Sequence, residues 1–245
     1  MAAIETVGLT RRFGDVAALS DLSLTVPEGE LFALLGPNGS GKTTTIEILT
    51  GQLDPTEGSA TVLGHDPTEE PLAVRRSVGI LPEREDPPSF LTPREYLEFV
   101  GTVRRLDSVA DRIDEWADRF GFREKLDTLA TDLSEGERQR VMLAAAFVHE
   151  PDLVFIDEPL VNLDPLMQEQ IKGHFRDYCE RGNTVFLSTH FIEVAEELCT
   201  GVAIVSDGEL VAEADPRDLG ERRLLDLFRD EVDRARTAQA GTPGA

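Results

Sequence analysis

The chain has 245 residues, 40% of them hydrophobic, and this length and composition suit one large domain with a packed core. No apolar run approaches the ~18 residues that cross a bilayer, no leader opens the chain, and two cysteines predict neither a disulfide framework nor a metal cluster, so we expect a soluble cytoplasmic protein. The 47 acidic residues outnumber 24 basic ones and are spread through the chain, which argues against nucleic-acid binding and favours a halophilic source.

Segments of β character alternate with helical patterns along most of the chain. Predicted strands lie at 5–10, 22–26, 31–36, 77–82, 153–157, 184–189 and 202–214, and predicted helices at 42–50, 93–105, 109–121, 134–149, 165–181 and 191–199. Three of the strand segments are short, nearly continuous apolar runs, which is typical of parallel strands covered on both faces. The last segment contains Asp207 and Gly208 between apolar alternations, which predicts a hairpin. The alternation as a whole indicates an α/β sheet.

The stretch between Pro82 and Ser134 contains no strand pattern. It begins with the Pro-rich EREDPPSFLTP and continues with helical periodicity, which indicates a helical insertion. We expect one domain over 1–236, with a helical subdomain at about 84–150 inside it. The small, polar end at 237–245 predicts a flexible tail.

A glycine-rich loop, GPNGSGKT at 36–43, follows an apolar strand and precedes a helix. This is the context that the phosphate-binding G-x-x-x-x-G-K-T motif requires. The glycines let backbone N–H groups face inward, and the helix N-terminus adds positive potential. The lysine reaches the outer phosphates, and the first threonine offers a hydroxyl to Mg²⁺. The alternative is a glycine-rich turn, but we expect a nucleoside triphosphate to be held by Gly36, Pro37, Asn38, Gly39, Ser40, Gly41, Lys42, Thr43 and Thr44.

Two acidic residues end the buried strand LVFID, and a histidine ends the strand TVFLST. A strand that meets a polar turn would look similar. In an open α/β fold, however, these carboxyl ends lie beside the phosphate loop. Asp157 would then hold Mg²⁺ through water, Glu158 would polarise an attacking water, and His190 would contact the outermost phosphate. The adjacent acids favour hydrolysis over mere binding.

The segment LSEGERQR at 133–140 reads most simply as a helix start. Ser134 and Glu137 fit the S-x-x-E capping box, in which each side chain satisfies an orphan backbone N–H. Asp164 and Pro165 similarly fit an N-cap followed by proline at the first helical position.

These segments, in this order, resemble the ATP-binding cassette (ABC) ATPases, the motor subunits of ABC transporters, over about residues 4 to 215. GPNGSGKT is similar to the Walker A loop, LVFIDE to Walker B with its catalytic glutamate, LSEGE to the signature and NLDP to the D-loop. His190 matches the switch histidine, and Phe13 falls where the family places an aromatic that stacks on adenine. The resemblance implies a P-loop NTPase core with a mainly parallel central sheet, an N-terminal antiparallel β subdomain and an inserted helical subdomain.

The resemblance also implies partners. In the family, the signature of one chain faces the Walker A loop of another, so Ser134 and Gly136 would close over the partner's γ-phosphate, and Asp164 would lie in the nucleotide-binding D-loop. A homodimer, or a heterodimer with a second ABC ATPase, would bind two ATP and drive a separate integral membrane permease from the inner face of the cell membrane. The RRFGDVAAL start, Glu83 and the short C-terminal region are similar to the exporter branch.

The chain departs from the family pattern at several positions. Glu83 replaces a glutamine that contacts Mg²⁺ and water, and a glutamate oxygen can still serve as a catalytic and metal contact there. Glu135 and Glu137 replace a glycine and a glutamine of the signature, and Asn162 replaces the usual small residue of the D-loop. We expect Glu135 to point away from the γ-phosphate.

Two other functions remain open from the sequence. One is a soluble ABC-type ATPase without a permease, acting in repair, translation or iron–sulfur assembly. The other is a non-hydrolysing regulatory module, which the presence of both Glu158 and His190 disfavours.

Overall fold

The computed structural model describes residues 1–83, 85–160, 163–220 and 222–240. The strands are β1 (Ala2–Phe13), β2 (Val16–Pro27), β3 (Leu31–Leu35), β4 (Glu57–Val62), β5 (Val78–Leu81), β6 (Leu153–Asp157), β7 (Thr184–Thr189), β8 (Gly201–Ser206) and β9 (Glu209–Ala214). The helices are α1 (Lys42–Leu49), α2 (Pro71–Ser77), α3 (Pro93–Val103), α4 (Ala110–Arg119), α5 (Glu135–Phe147), α6 (Pro165–Glu180), α7 (Ile192–Leu198) and α8 (Leu224–Ala240).

A six-stranded sheet with the order β5-β6-β7-β3-β8-β9 forms the centre of the fold, and its strands are parallel except for β9. Every residue of β3, β6 and β7 is buried, as their continuous apolar runs predict. Alternate residues of β3 contribute to two different hydrophobic clusters, one on each face of the sheet. One cluster includes residues of α1 and the N-terminal strands, and the other includes residues of α5, α6, α7 and α8. The predicted α/β class with a mainly parallel sheet is confirmed.

A separate three-stranded antiparallel sheet, with the order β2-β1-β4, confirms the predicted N-terminal β subdomain. Strand β4 was not predicted; it is an edge strand in which only Ala60 and Val62 are buried. Its apolar alternation covers only these two positions, which is too short a pattern to predict a strand. Gly58 lies at φ 82°, and a Cβ there would come within 2.3 Å of the Gly8 carbonyl oxygen, so the close approach of β4 to β1 requires glycine.

The described residues between β5 and Ser134 form helices and turns and no strand, which confirms the helical insertion. Its α4 packs against the main body through an aromatic cluster around His174 of α6. Rings of Trp116, Phe120 and Phe147 stand nearly perpendicular to the imidazole at 5.0, 5.4 and 4.9 Å between centroids. Burial and the nearby Arg119 lower the pKa of His174 to about 3, so the imidazole is neutral. The insertion is therefore joined to α6 by a buried aromatic contact.

The predicted hairpin is confirmed: β8 and β9 are antiparallel, and Asp207 and Gly208 between them have φ of 50° and 84°. Helices α2 and α8 were not predicted. Helix α8 includes residues 237–240, part of the stretch expected to be a flexible tail, and 241–245 lie outside the described residues. Among the described helices, none is both long and apolar enough to cross a membrane.

Candidate functional site

Four loops follow the carboxyl ends of four adjacent strands and border one cleft of about 570 Å³. The phosphate loop follows β3, Glu83 follows β5, the two acidic residues end β6, and His190 follows β7. The parallel order of these strands brings the four segments to the same edge of the sheet. The cleft is lined by Ala18, Asn38, Gly39, Gly41, Lys42, Thr43, Thr44, Glu83, Glu135, Gln139, Asp157, Glu158 and His190.

Glycines fix the course of the phosphate loop. A Cβ on Gly36 would lie 2.3 Å from the Val205 carbonyl oxygen, and one on Gly41 would lie 2.6 Å from that of Ala18. Gly39 and Gly41 also have positive φ, at 82° and 101°. Gly41 precedes α1 as its N-cap and makes no side-chain cap, so the first N–H groups of the helix are not capped by a side chain and can face an anion.

Lys42 is buried and turned back onto its own loop. Its Nζ donates to the carbonyl oxygens of Gly36 at 2.9 Å and Pro37 at 3.2 Å. Burial lowers the pKa of Lys42, and the nearby carboxylates, Glu158 and Asp157 foremost, oppose that shift. These two hydrogen bonds hold the Lys42 side chain at the wall of the cleft.

Asp157 is bound on both carboxylate oxygens. Thr43 Oγ1 donates to Oδ2 at 2.9 Å, and Ser188 Oγ donates to Oδ1. The hydroxyl and carboxylate predicted to share Mg²⁺ are therefore in contact. These are hard oxygen donors, and the described residues hold no group of three or more His, Cys, Asp or Glu that could bind a metal alone. The oxygen donors of Thr43 and Asp157 are of the kind that Mg²⁺ prefers, together with phosphates and water.

Glu158 lies at the end of β6 with only 8% of its surface exposed. His190 faces Oε1 with both its backbone N–H, at 3.1 Å, and its Nδ1, at 2.6 Å. Thr189 Oγ1 donates to Oε2 at 3.2 Å. The structure thus brings Glu158 and His190 together as predicted, whereas Ser188 and Thr189 were missed. A hydroxyl pair at the end of a strand beside two acids was the available signal.

The segment 133–140 lines the cleft of its own chain, and it does so through residues other than the predicted Ser134 and Gly136. Glu135 and Gln139 line it, whereas Ser134 and Gly136 do not. Ser134 N-caps α5, and the capping box is confirmed: its Oγ accepts the Glu137 N–H at 3.3 Å, and its own N–H donates to Glu137 Oε2 at 2.8 Å. That backbone hydrogen bond lowers the pKa of Glu137.

Phe13 and Asp164 lie apart from the residues that line the cleft. Phe13 ends β1 with 49% of its surface exposed, and the Arg11 guanidinium lies 4.6 Å from its ring centroid. Asp164 accepts the N–H groups of Leu166 and Met167 at 3.1 Å each, which confirms its predicted capping of α6. Asn162, the D-loop departure, is outside the described residues.

Comparison with known proteins gives a consistent match. The family model for ABC transporters matches residues 19–161. The chain is 37% identical over 218 residues to the probable multidrug ABC transporter ATP-binding protein YbhF of Escherichia coli (strain K12), covering 88% of this chain and 38% of YbhF. It is 36% identical to the daunorubicin/doxorubicin resistance ATP-binding protein DrrA of Streptomyces peucetius, covering 89% of this chain and 66% of DrrA. A Nod factor export ATP-binding protein I of Cupriavidus pinatubonensis is 32% identical, with 96% and 74% covered.

Solved structures show the same architecture. An ATP-binding subunit of an ABC transporter has a TM-score of 0.87 and 28% identity, with 94% of this chain and 99% of that chain covered. An ATP-binding cassette in a dimeric post-hydrolysis state, bound to ADP and Pi, has a TM-score of 0.81 and 26% identity, with 87% and 99% covered.

Proposed function

The chain belongs to the ABC transporter family, and from this premise we propose that it binds and hydrolyses ATP to drive a separate membrane permease. One observation carries the proposal. The phosphate-loop hydroxyl of Thr43 contacts Asp157 at 2.9 Å, and Lys42, Glu158 and His190 line the same cleft. These are the groups that hydrolysis of a phosphoanhydride needs: an anion cradle, a metal-binding pair and a proton acceptor.

Each residue has a distinct role in the proposed reaction. The loop N–H groups and Lys42 bind the phosphates, and Lys42 would exchange its two carbonyl contacts for phosphate oxygens. Thr43 and Asp157 would hold Mg²⁺, with Glu83 as a further contact, and the ion when bound neutralises charge on the phosphates. Glu158 orients the attacking water and accepts its proton, and His190 holds Glu158 and reaches toward the outermost phosphate.

The remaining predicted residues serve a site made by two chains. Phe13 is 49% exposed, with the Arg11 guanidinium over its ring, and would stack on adenine. Ser134, Gly136 and Asp164 would act on nucleotide bound by a partner chain. The dimeric state of the similar cassette with ADP and Pi supports this assembly. The partner would be a second copy or a related ABC ATPase.

The transport direction proposed is export, with the chain at the cytoplasmic face of the cell membrane. The relatives' names, which include multidrug, drug-resistance and Nod factor export proteins, support export by a permease-coupled ATPase over a soluble ATPase without a permease. The chain spans 38% of the length of YbhF and 66% of that of DrrA. We further propose a halophilic source, on the formal charge of −23.

The proposal is tested by Glu158→Gln, which keeps shape and removes the proton acceptor. We expect the variant to bind ATP and to hydrolyse it at least about 10²-fold more slowly, the low end for losing positioned acid–base catalysis. Steady-state ATP hydrolysis with Mg²⁺ and ATP affinity by calorimetry are the measurements. Glu135→Gln is the matched control, because it removes the same charge from the same cleft and should keep most of the activity. Equal rates for wild type and Glu158→Gln would remove Glu158 from this role.

A further inference from the structure

Thr189, the last residue of β7, contacts three parts of the site at once, and no local sequence motif gives it a role. Its hydroxyl donates to Glu158 Oε2 at 3.2 Å and accepts the Phe191 N–H at 3.1 Å, and its carbonyl accepts the Gly36 N–H at 3.2 Å. From this geometry we infer that Thr189 is a positioning residue that fixes the orientation of the Glu158 carboxylate. The inference rests on the proposed function of Glu158.

The hydroxyl has one proton, and its surroundings direct that proton to Glu158. Because the Phe191 N–H occupies an acceptor site on Oγ1, the hydroxyl proton points away from it, toward the carboxylate. Thr189 is 1% exposed, so bulk water does not compete for the contact. A β-branched side chain in a strand also has a restricted χ1, so the oxygen stays where the backbone places it.

The backbone of Thr189 is held as firmly as its side chain. It pairs with Leu35 in the β3–β7 register, directly before the phosphate loop, and the Gly36 N–H extends that ladder. Thr189 therefore contacts both the phosphate loop, through its carbonyl, and Glu158 Oε2, through its hydroxyl.

Glu158 lies in an unusual backbone conformation, anchored by its N–H, which donates to the Ser188 carbonyl at 3.1 Å. Its φ is 52°, a left-handed conformation that is uncommon for a residue with a side chain. His190, the other partner, has a side chain that is 39% exposed and borders the open cleft. Of the two side-chain partners, Thr189 is the buried one, while on Oε1 the His190 backbone N–H donates beside the exposed imidazole. Thr189 holds Oε2, which leaves Oε1 toward His190 and the cleft.

The test compares Thr189→Val, which removes the hydroxyl at constant shape, with Thr189→Ser, which restores it. We expect Thr189→Val to lower kcat by about 10- to 100-fold, the range for losing a hydrogen bond to a charged group, with KM and ATP affinity changed less than about twofold. Thr189→Ser should recover most of kcat. Thr184→Val is the matched control: Thr184 lies on the same strand, is equally buried, and uses its hydroxyl far from the cleft, as acceptor of the Gly29 N–H at 3.0 Å.

A second arm separates a positioning role from a structural one. In the Glu158→Gln background, Thr189→Val should cause little further loss, because the group it positions is already disabled. Three results would overturn the inference while leaving the ATPase proposal standing. The first is a kcat of Thr189→Val equal to that of Thr184→Val, and the second is a loss of activity that appears as weaker ATP binding. The third is a loss of kcat in the Glu158→Gln background as large as in the wild-type background. A fully active Glu158→Gln enzyme would overturn both.

Discussion

Each of the three lysines of the chain makes a specific contact. Lys42 donates to carbonyls of the phosphate loop, and Lys125 pairs with the capping-box residue Glu137 at 3.3 Å. Lys172 is buried and bridges α6 to Glu197 of α7 at 2.7 Å, while also contacting Glu169 at 2.8 Å. Each lysine thus places a compact cation against defined oxygen acceptors, and arginine supplies the other positive side-chain charges.

The two carboxylates at the end of β6 also have specific hydrogen-bond partners. All four oxygens of Asp157 and Glu158 have a partner, supplied by Thr43, Ser188, Thr189 and His190. Two adjacent acids that were left unpaired in a largely buried position would be costly. Hydrogen bonds from neighbouring loops therefore allow both to remain at the cleft.

At the scale of elements, Ser134 has two separable functions: capping of α5 and, as proposed, contact with a partner's phosphate. Ser134→Ala removes the cap and should lower the free energy of unfolding by about 1 kcal/mol. Ser134→Asp keeps a good N-cap but adds negative charge where the phosphate would lie. We expect Ser134→Asp to unfold like wild type in urea yet to lose ATP-dependent dimerisation in the Glu158→Gln background, measured by size-exclusion chromatography.

The urea measurement shows whether a Ser134 variant is still folded, and the dimerisation measurement shows whether it still responds to ATP. If Ser134→Asp dimerises with ATP as wild type does, the segment acts as a capped helix start and nothing more. Glu137→Gln keeps an oxygen for the Ser134 N–H while losing the ion pair with Lys125, so it reports how much of any effect comes from the capping box itself.

Elements with a strong local signal could be predicted from the sequence. The buried strands β3, β6 and β7 are continuous apolar runs, and α5 and α6 begin at capping residues that the structure confirms. The missed elements lack such signals: β4 is a polar edge strand, and the seven-residue α2 buries one hydrophobic residue, Val74. Helix α8 was missed although Leu224 and Leu227 are spaced for one helical face, because charged residues surround them.

The same distinction applies to the site. The phosphate loop and the β6 carboxylates are contiguous in sequence, so they could be predicted, and the parallel sheet order explains why they meet. The contacts of Ser188 and Thr189 with residues 31 positions away depend on the register of β7 beside β6, which pairs Asp157 with Ser188. The presence of Gln139 in the cleft depends on the packing of α5. Neither the contacts of Ser188 and Thr189 nor the position of Gln139 can be predicted from the neighbouring residues in the sequence.

At the scale of the whole molecule, the formal charge of −23 should make folding depend on salt. At 1 M the screening length falls to about 3 Å, so repulsion between surface carboxylates largely vanishes. We expect the melting temperature to rise between 0.1 M and molar KCl, measured by calorimetry. Replacing the exposed Glu5, Glu57 and Glu98 with glutamine should reduce the salt needed. A melting temperature that is flat across this range would refute the halophile proposal.

The arrangement of the signature segment leads to a test of the shared active site. Ser134 and Gly136 do not line the cleft of their own chain, although Glu135 and Gln139 beside them do. If Ser134 serves a partner's ATP, each site takes Lys42 from one chain and Ser134 from the other. Homodimers of Lys42→Ala and of Ser134→Arg should then each be inactive, because both of their sites carry a lesion.

Mixed dimers of the two variants should behave differently, because one site collects both lesions and the other is built from intact residues. Mixing should restore part of the ATP hydrolysis. If the two sites are coupled and one intact site does not turn over alone, ATP-dependent dimerisation should still return when Glu158→Gln is present in both chains. High protein concentration or a permease-bound sample favours dimer formation. Dimers of Lys42→Ala carrying distinguishable tags, mixed in the same way, are the control and should stay inactive. If mixed dimers are isolated and neither activity nor ATP trapping returns, the two-chain site is wrong, and the intact Lys42 and Ser134 do not act on the same nucleotide.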